Sequence, residues 1–345
     1  MQTWYSAPTA RDWTAAPMPD GARDFHRSLP GYRPTPLRAA PGLAAELGVG
    51  QVLVKDESER LGLPAFKILG ASWACHQVLQ RQPRATLITA TDGNHGRAVA
   101  RKAKLLGVGA VIFVPRVMRP ETAARIGSEG AEVVRVDGNY DEAVQAAAQF
   151  AAKEPGRALV QDTAWEGYAE VPAWIVAGYR TMLQEIDEEL GRTPDLIAVP
   201  VGVGSLAEAV VGHYRQPGVA HPSVLSVEPD TAACVLASLL AGRSTTVPTA
   251  ATVMAGLNCG TVSAASWPVL RDGCDAAVAV TDEAALAAID ELAAAGIASG
   301  PCGAATLAGV RAALAEPGRR AGLALAEDAI VVLINTEGPQ GSPVG

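Results

Sequence analysis

The chain has 345 residues, of which 49% are hydrophobic and 19% are charged, and its formal net charge is −8 at pH 7. This length and apolar content suffice for two lobes, each with a hydrophobic core of its own. The acidic balance disfavours nucleic acids and anionic membranes as partners. No apolar run reaches the roughly 18 residues that are needed to cross a bilayer.

Strands and helices are predicted to alternate along most of the chain. Residues 1–50, rich in Pro, Gly and Arg, are expected to form a covering arm with one helix at 43–47. The apolar runs predicted as strands are 52–55, 86–90, 110–114, 132–136, 158–161, 196–200, 224–228, 277–280 and 330–335. The segments with helical periodicity are 68–79, 96–106, 120–128, 140–152, 171–190, 205–214, 231–240, 282–295 and 303–314. This alternation predicts an α/β fold of parallel sheets with helices on both faces.

The N-terminus and the cysteines favour a cytoplasmic location. Residues 1–14 lack the basic start and the apolar run of a signal peptide. The five cysteines are odd in number and far apart, with neither the spacing of a disulfide framework nor a CxxC pair. We therefore expect a reduced enzyme in which most cysteines are small, buried apolar residues.

Lys67 has unusually apolar neighbours for a lysine. Ala65, Phe66, Ile68 and Leu69 flank it. Partial desolvation disfavours the ammonium form, so the amine of such a lysine can act as a nucleophile or form a Schiff base. In the alternative interpretation, which is the more frequent one for an isolated segment, the stem packs on apolar surface and the ammonium reaches water.

A glycine-rich turn at residues 202–206 follows the strand 196–200 and opens the next helix. Its glycines allow close approach of the backbone, and the free N–H groups of a helix start favour an anion. Ala207 stands where a dinucleotide fingerprint would have its third glycine, and the Lys of a nucleotide P-loop is absent. A dinucleotide site would also need an acidic residue that binds the ribose. Glu228 ends the next strand, but it is not clearly placed for that role. The turn therefore predicts a site for a single phosphate, although such turns are also common as plain connections.

A second polar loop, residues 91–96, connects the strand 86–90 to a helix. In α/β sheets, ligands bind at the carboxyl ends of the strands. Asp92 and Asn94 can contact a ligand there, or they can cap the helix and form a left-handed turn. His95 has no nearby base or nucleophile, which favours a structural role. No spacing of His, Cys and carboxylates resembles a zinc site, so we expect no metal.

Together, these segments resemble the fold-type II pyridoxal-phosphate (PLP) enzymes, such as threonine dehydratase, cysteine synthase and the tryptophan synthase β subunit. From about residue 33 to 338, the sequence more specifically resembles the diaminopropionate ammonia-lyase family. The resemblance rests on residues 56–58, 61–67, 90–97, 161–168, 202–205, 256–260 and 335–338. Dehydratases have Ser or Thr in place of Asp92, so the loop around it and the run from Asp162 to Tyr168 are the specific segments. The tail after Gly338 departs from the family, which leaves substrate specificity open.

The resemblance implies a role for each site residue. Lys67 holds PLP as a Schiff base and acts as base for the L-substrate, whereas Asp92 acts as base for the D-substrate. The implied cofactor contacts are Gly202, Val203, Gly204, Ser205 and Leu206 with the phosphate, Asn94 with the phenolic oxygen, and Thr336 with the pyridine nitrogen. The implied substrate contacts are Thr91, Asp92 and His95 in the loop that holds the carboxylate, and Asp162 and Tyr168 with an amine.

The implied partner of the pyridine nitrogen has a chemical consequence. The hydroxyl of Thr336 is neutral, so it leaves the ring nitrogen largely unprotonated and the cofactor a weaker electron sink. This suits β-elimination, in which the leaving group takes the electrons. Without the resemblance, Thr336 is an ordinary threonine at the end of a strand.

We therefore expect a PLP-dependent β-eliminating lyase that converts 2,3-diaminopropionate to pyruvate and ammonia. The large PLP-binding domain is expected at residues 1–92 and 173–345, and a small mobile domain inserted at 93–172 closes over the substrate. The resemblance also implies a homodimer. Alternatives are a serine/threonine dehydratase, a β-replacement enzyme, a Rossmann oxidoreductase, which the missing third glycine disfavours, and a non-catalytic binding protein, which the intact Lys67 disfavours.

Overall fold

The computed structural model describes residues 3–218 and 220–339. The extreme ends of the predicted large domain, residues 1–2 and 340–345, lie outside this range. The strands are β1 Trp4–Ser6, β2 Leu37–Ala39, β3 Gln51–Asp56, β4 Thr86–Ala90, β5 Ala110–Pro115, β6 Glu132–Val136, β7 Arg157–Leu159, β8 Leu196–Pro200, β9 Ser223–Pro229, β10 Ala276–Val280 and β11 Ile330–Asn335.

Thirteen α-helices lie in the described ranges. They are α1 Ala22–Arg27, α2 Pro41–Leu47, α3 Ile68–Arg81, α4 Asn94–Leu106, α5 Pro120–Gly127, α6 Tyr140–Ala152, α7 Glu170–Leu190, α8 Ser205–Tyr214, α9 Cys234–Ala241, α10 Ser266–Gly273, α11 Asp282–Ala294, α12 Pro301–Leu314 and α13 Pro317–Gly322. Two short 3₁₀ turns span Pro8–Asp12 and Ala255–Leu257. None of the helices in residues 3–218 and 220–339 has the length and apolar character needed to cross a membrane.

The strands form two sheets. A seven-stranded sheet has the order β1-β10-β9-β8-β11-β3-β2, and a four-stranded sheet has the order β6-β5-β4-β7. The strands of the smaller sheet pair in parallel, and only the edge pairs β1–β10 and β2–β3 of the described ladders are antiparallel. The predicted α/β fold with two parallel-sheet lobes is therefore confirmed.

Strand β4 belongs to the smaller sheet, where it pairs with β5 and β7. A domain boundary at residue 93 would therefore separate β4 from both of its partners. The division at residues 93 and 172 stays a prediction.

One hydrophobic core lies between the two sheets. Leu69 on α3 and Tyr179 on α7 are both fully buried in it, together with Ile112 of β5 and Ile197 of β8. Gly70 and Gly178 are packed so tightly that a Cβ at Gly178 would lie 2.7 Å from the Leu69 carbonyl oxygen. The close contact of α3 and α7 fixes the start of α3, where Lys67 lies.

A buried charge network ties the N-terminal arm to this core. The ammonium of Lys55 and the guanidinium of Arg60 both lie 2.7 Å from the Glu185 carboxylate, and all three side chains are fully buried. Arg60 also pairs with the buried Glu57. The Thr35 hydroxyl donates to Glu57, and its main-chain carbonyl accepts from Lys55. Two positive and two negative charges balance, as a buried network requires.

Several predicted bounds differ from the structure for identifiable reasons. Strand β7 ends at Leu159 because the Ala90 amide of β4 donates to the Gln161 side chain, at 2.9 Å, instead of continuing the backbone ladder. Helix α9 starts at Cys234, later than predicted, where the Glu228 carboxylate accepts from the amides of Val235 and Leu236. Because both carboxylate oxygens of Glu228 accept from this helix start, Glu228 does not bind a ribose.

Candidate active site

A cavity of about 1030 Å³ opens at the carboxyl ends of β4, β8 and β11. Most of the predicted site residues line it, although they lie far apart in the sequence. The predicted residues in its wall are Lys67, Thr91, Asp92, Asn94, His95, Asp162, Gly202, Val203, Gly204, Ser205, Leu206 and Thr336. This volume can hold a cofactor together with a small substrate.

Tyr168 is the exception among the predicted site residues. It does not line this cavity, and its hydroxyl accepts from the Gln161 amide at 2.8 Å and donates to the Leu159 carbonyl at 3.1 Å. Its ring stacks on Trp165. The contact of Tyr168 with a substrate amine stays a prediction, and this arrangement does not favour it. Instead, Tyr168 holds the chain at the end of β7, which positions the neighbouring Asp162.

The turn at residues 202–206 has the geometry of an anion site. Helix α8 begins at Ser205, so the amides of its first turn have no partner within the helix and point out of its N-terminus. Gly204 has φ +100°, and a Cβ there would lie 2.9 Å from the Leu270 Cδ1 atom. Position 204 therefore requires glycine for both conformation and space.

Lys67 lies at the start of α3 and forms an ion pair inside the cavity. Its ammonium donates to the Asp162 carboxylate at 2.7 Å and lies 5.4 Å from the Phe66 ring centroid and 5.8 Å from that of Tyr179. Burial disfavours the ammonium, but the Asp162 carboxylate outweighs this effect, so the pKa of Lys67 lies above its ordinary value. The expectation of a disfavoured ammonium, drawn from apolar neighbours, is wrong for this arrangement.

Asp162 forms the other side of this ion pair, and His95 lies beside it. Burial alone would raise the pKa of Asp162, yet the charge of the Lys67 ammonium holds it well below its usual range. His95 Nε2 lies 2.8 Å from the Val160 carbonyl, which can only accept, so this nitrogen donates. Burial lowers the pKa of His95, and its buried Nδ1 has no hydrogen-bond partner among the described residues. That nitrogen lies 4.0 Å from the Asp162 carboxylate.

Asp92 is a carboxylate with a near-neutral pKa. Burial is the main cause, and the neighbouring charges of Asp162 and Asp141 add to it, raising the pKa of Asp92 to about 7. Gly93, with φ +155°, turns the chain between Asp92 and helix α4. A carboxylate with this pKa can accept a proton near neutral pH and release it again.

The hydroxyl of Thr336 and the carboxamide of Asn94 lie in the same wall. Thr336 Oγ1 is buried and has no hydrogen-bond partner in the described part of the chain. Such a group calls for a polar partner. Asn94 Nδ2 donates to the Glu337 carboxylate at 2.7 Å.

Sequence reasoning missed several residues in the wall, including Tyr140, Asp141, Cys259, Cys302 and Glu337. Glu337 directly follows Thr336 in the segment 335–338, which carries part of the family resemblance. Its place in the sequence could therefore have identified it as a site residue. Asp141 lies in the first turn of α6, where a capping box of Asn139 and Glu142 marks the helix start. Burial raises the thiol pKa of both Cys259 and Cys302, so these thiols are poor nucleophiles.

Comparisons with known proteins relate the chain to one family of enzymes. A model of the family described as pyridoxal-phosphate dependent enzyme matches residues 28–337. Diaminopropionate ammonia-lyase of Escherichia coli (strain K12) is 39% identical, over 92% of this chain and 87% of the relative. The crystal structure of the Escherichia coli enzyme with D-serine has a TM-score of 0.83 and 37% identity, and it covers 92% of this chain and 87% of that one. The structure with an aminoacrylate-PLP azomethine reaction intermediate has the same TM-score and coverage and 38% identity.

Proposed function

The chain belongs to the pyridoxal-phosphate dependent enzyme family and, within it, to the diaminopropionate ammonia-lyases, and from this premise we propose that it releases ammonia from 2,3-diaminopropionate by β-elimination, with pyruvate as the other product. The observation that supports this substrate is the pair of carboxylates, Asp92 and Asp162, beside Lys67 in one cavity. A substrate with two amino groups offers an ammonium to such a site, which a hydroxyl-bearing amino acid lacks at its β-position.

The residues present fit pyridoxal phosphate. The amides at the start of α8 suit its phosphate, and the partnerless hydroxyl of Thr336 suits a ring nitrogen. Asn94 would serve the phenolic oxygen, and Lys67 would bond to the aldehyde. When bound, the cofactor supplies an electron sink for the carbanion at the substrate's Cα.

Two bases on two sides of the substrate would explain action on both enantiomers. Lys67, once the substrate amine had displaced it from the cofactor, would reach the Cα proton from one face, and the opposite enantiomer would present that proton to the other face. We assign Lys67 to the L-substrate and Asp92 to the D-substrate. The pKa of Asp92, raised to about 7, supports this role because a base works best when its pKa lies near the working pH.

The remaining polar residues would hold the substrate. The amides of residues 92–96, with the side chains of Thr91 and His95, would line the carboxylate site. Asp162 would pair with a substrate ammonium, since its carboxylate already pairs with the ammonium of Lys67 at 2.7 Å. Closure of the small domain, residues 93–172, would then exclude water.

We also propose that the protein acts as a cytoplasmic homodimer. All five cysteines are free thiols, and four of them are buried, as is usual in a reducing compartment. The family resemblance supports the dimer. Sedimentation velocity on the cofactor-loaded protein should give the mass of two chains, and a monomer at micromolar concentration would exclude the dimer.

A substrate screen tests the central proposal. Purified, cofactor-loaded protein is incubated with D- and L-diaminopropionate, L-serine, L-threonine and L-cysteine, and keto-acid and ammonia are measured. Diaminopropionate should give the highest kcat/KM, and Lys67→Ala, purified in parallel, should give none. A higher kcat/KM for L-serine or L-threonine would instead identify a dehydratase.

A further inference from the structure

Glu337 contacts Asn94 and lies in a segment that pairs with the residues just before Lys67, and we propose that it is a positioning residue for Asn94. It fixes the carboxamide of Asn94 so that an N–H, and not the carbonyl, is presented to the phenolic oxygen of the cofactor. The inference rests on the proposed placement of Asn94 at that oxygen.

The contact between Asn94 and Glu337 has only one possible polarity. Asn94 Nδ2 lies 2.7 Å from Glu337 Oε2, and an ionised carboxylate can only accept. If the amide were flipped, its carbonyl oxygen would face a carboxylate, which is repulsive. The amide nitrogen has a second N–H, which stays available to an acceptor in the cavity that both residues line.

Glu337 is itself held firmly enough to act as a template. Its side chain is 4% exposed, and its second carboxylate oxygen accepts from the Cys302 amide at the start of α12, at 3.3 Å. Its main-chain carbonyl accepts from the Gly300 amide at 2.8 Å, and it forms an antiparallel bridge with Ala65. The backbone of Glu337 is thus fixed on both sides, and the Cys302 amide holds the carboxylate in place beside Asn94.

The same segment also positions Lys67 and Thr336. The Phe66 amide donates to the Thr336 carbonyl at 3.1 Å, and the Gly338 amide donates to the Pro64 carbonyl at 3.0 Å. The residues just before Lys67 are thus paired with the residues on either side of Glu337. The Glu337 side chain then adds Asn94, which is 243 positions away in the sequence. The segment 336–338 therefore links the groups proposed for the aldehyde and the ring nitrogen, and the Glu337 side chain adds the group proposed for the phenolic oxygen.

A double-mutant cycle separates positioning from a general structural role. Glu337→Gln keeps the shape of the side chain, but an amide can accept from Asn94 or donate to it, so the fixed polarity is lost. PLP affinity and the absorption spectrum of the bound cofactor are measured for wild type, Glu337→Gln, Asn94→Ala and the double variant. Glu337→Gln should weaken PLP binding about three- to tenfold, the value of one hydrogen bond, and alter the spectrum.

In the Asn94→Ala background, Glu337→Gln should change neither the affinity nor the spectrum further. Full additivity of the two substitutions would overturn the proposal, because Glu337 would then act independently of Asn94. Asn94→Ala with an unchanged spectrum would also overturn it, since Asn94 would not contact the cofactor. Neither result depends on diaminopropionate turnover, so a failure here is distinct from a failure of the proposed reaction.

Asp56 provides the matched control. Its carboxylate accepts from the Asn335 side chain at 3.2 Å, so it holds the same segment without contacting Asn94. Asp56→Asn should lower the melting temperature of the protein, and its effect on PLP affinity should be unchanged by Asn94→Ala. If Asp56→Asn shows the same coupling to Asn94 as Glu337→Gln, the effect belongs to the whole segment and the specific role of Glu337 is refuted.

Discussion

Asp92→Asn should greatly reduce turnover of D-diaminopropionate while reducing L-turnover far less. Asp92 and Lys67 line one cavity. The two enantiomers of the substrate present their Cα proton to opposite faces of the cofactor. Asparagine keeps the shape of the side chain but cannot accept the proton. Loss of a positioned base costs about 10²–10⁴-fold in rate, so the D-reaction should fall by this factor.

The pKa of Asp92 gives the reaction a specific pH dependence. A base acts in its ionised form, so D-turnover should be present above the pKa and be lost as the pH falls through about 7. Between pH 8 and pH 6 the ionised fraction of a group with this pKa falls about tenfold, and the D-rate should fall with it. The residual D-activity of Asp92→Asn should lose this dependence.

Steady-state pyruvate formation from each enantiomer, at saturating cofactor, provides the assay. Asp141→Asn is the matched control, because it removes a charge that raises the pKa of Asp92 but leaves the base in place. It should shift the D-profile to lower pH without a large loss at high pH. Equal losses for both enantiomers in Asp92→Asn would refute the two-base mechanism, and so would a wild type without D-activity.

Three further predictions concern the cofactor and the fold. Lys67→Ala should lose the covalent cofactor absorbance and nearly all turnover, and normal turnover would refute the role of Lys67. Gly204→Asp should weaken PLP binding by orders of magnitude. The backbone has φ +100° there, and a carboxylate beside the phosphate costs several kcal/mol, as an order of magnitude. A titration with unchanged PLP affinity would place the phosphate elsewhere. Glu185→Gln should cost about 3–5 kcal/mol in the free energy of unfolding, since it leaves Lys55 and Arg60 with an uncompensated buried charge, and an unchanged denaturation midpoint would contradict this.

The local sequence pattern was enough to predict most of the fold and the two glycine-containing loops. Strands such as 86–90 and 330–335 are apolar and bounded by polar turns, so their limits are set by nearby residues. The edge strands β1 and β2 have three residues each, which is too short for any periodicity to appear. They form because the neighbouring strand offers free backbone groups. For β1 that partner, β10, lies far away in the sequence, whereas β2 pairs with the nearby β3.

The electrostatics of the site depend on contacts that no local pattern contains. Lys67 meets Asp162 across 95 positions, and this ion pair reverses the pKa shift expected from the apolar neighbours of the lysine. Tyr168 lies in a family-specific run, but its hydroxyl is used by the backbone of the same run. A resemblance can therefore place a residue in a segment, whereas the direction of its side chain follows only from the three-dimensional contacts.

The Lys67–Asp162 ion pair also bears on substrate choice. Once Lys67 bonds to the cofactor, Asp162 loses its partner, and a buried carboxylate without a cation is unfavourable. Diaminopropionate has a second ammonium that can replace the lysine, whereas serine has only a hydroxyl. We therefore expect Asp162→Asn to lower the ratio of the kcat/KM for diaminopropionate to that for serine by about tenfold or more. This factor corresponds to the free energy of one charge-assisted hydrogen bond. An equal loss for both substrates would show that Asp162 supports the site in general and does not select the second ammonium.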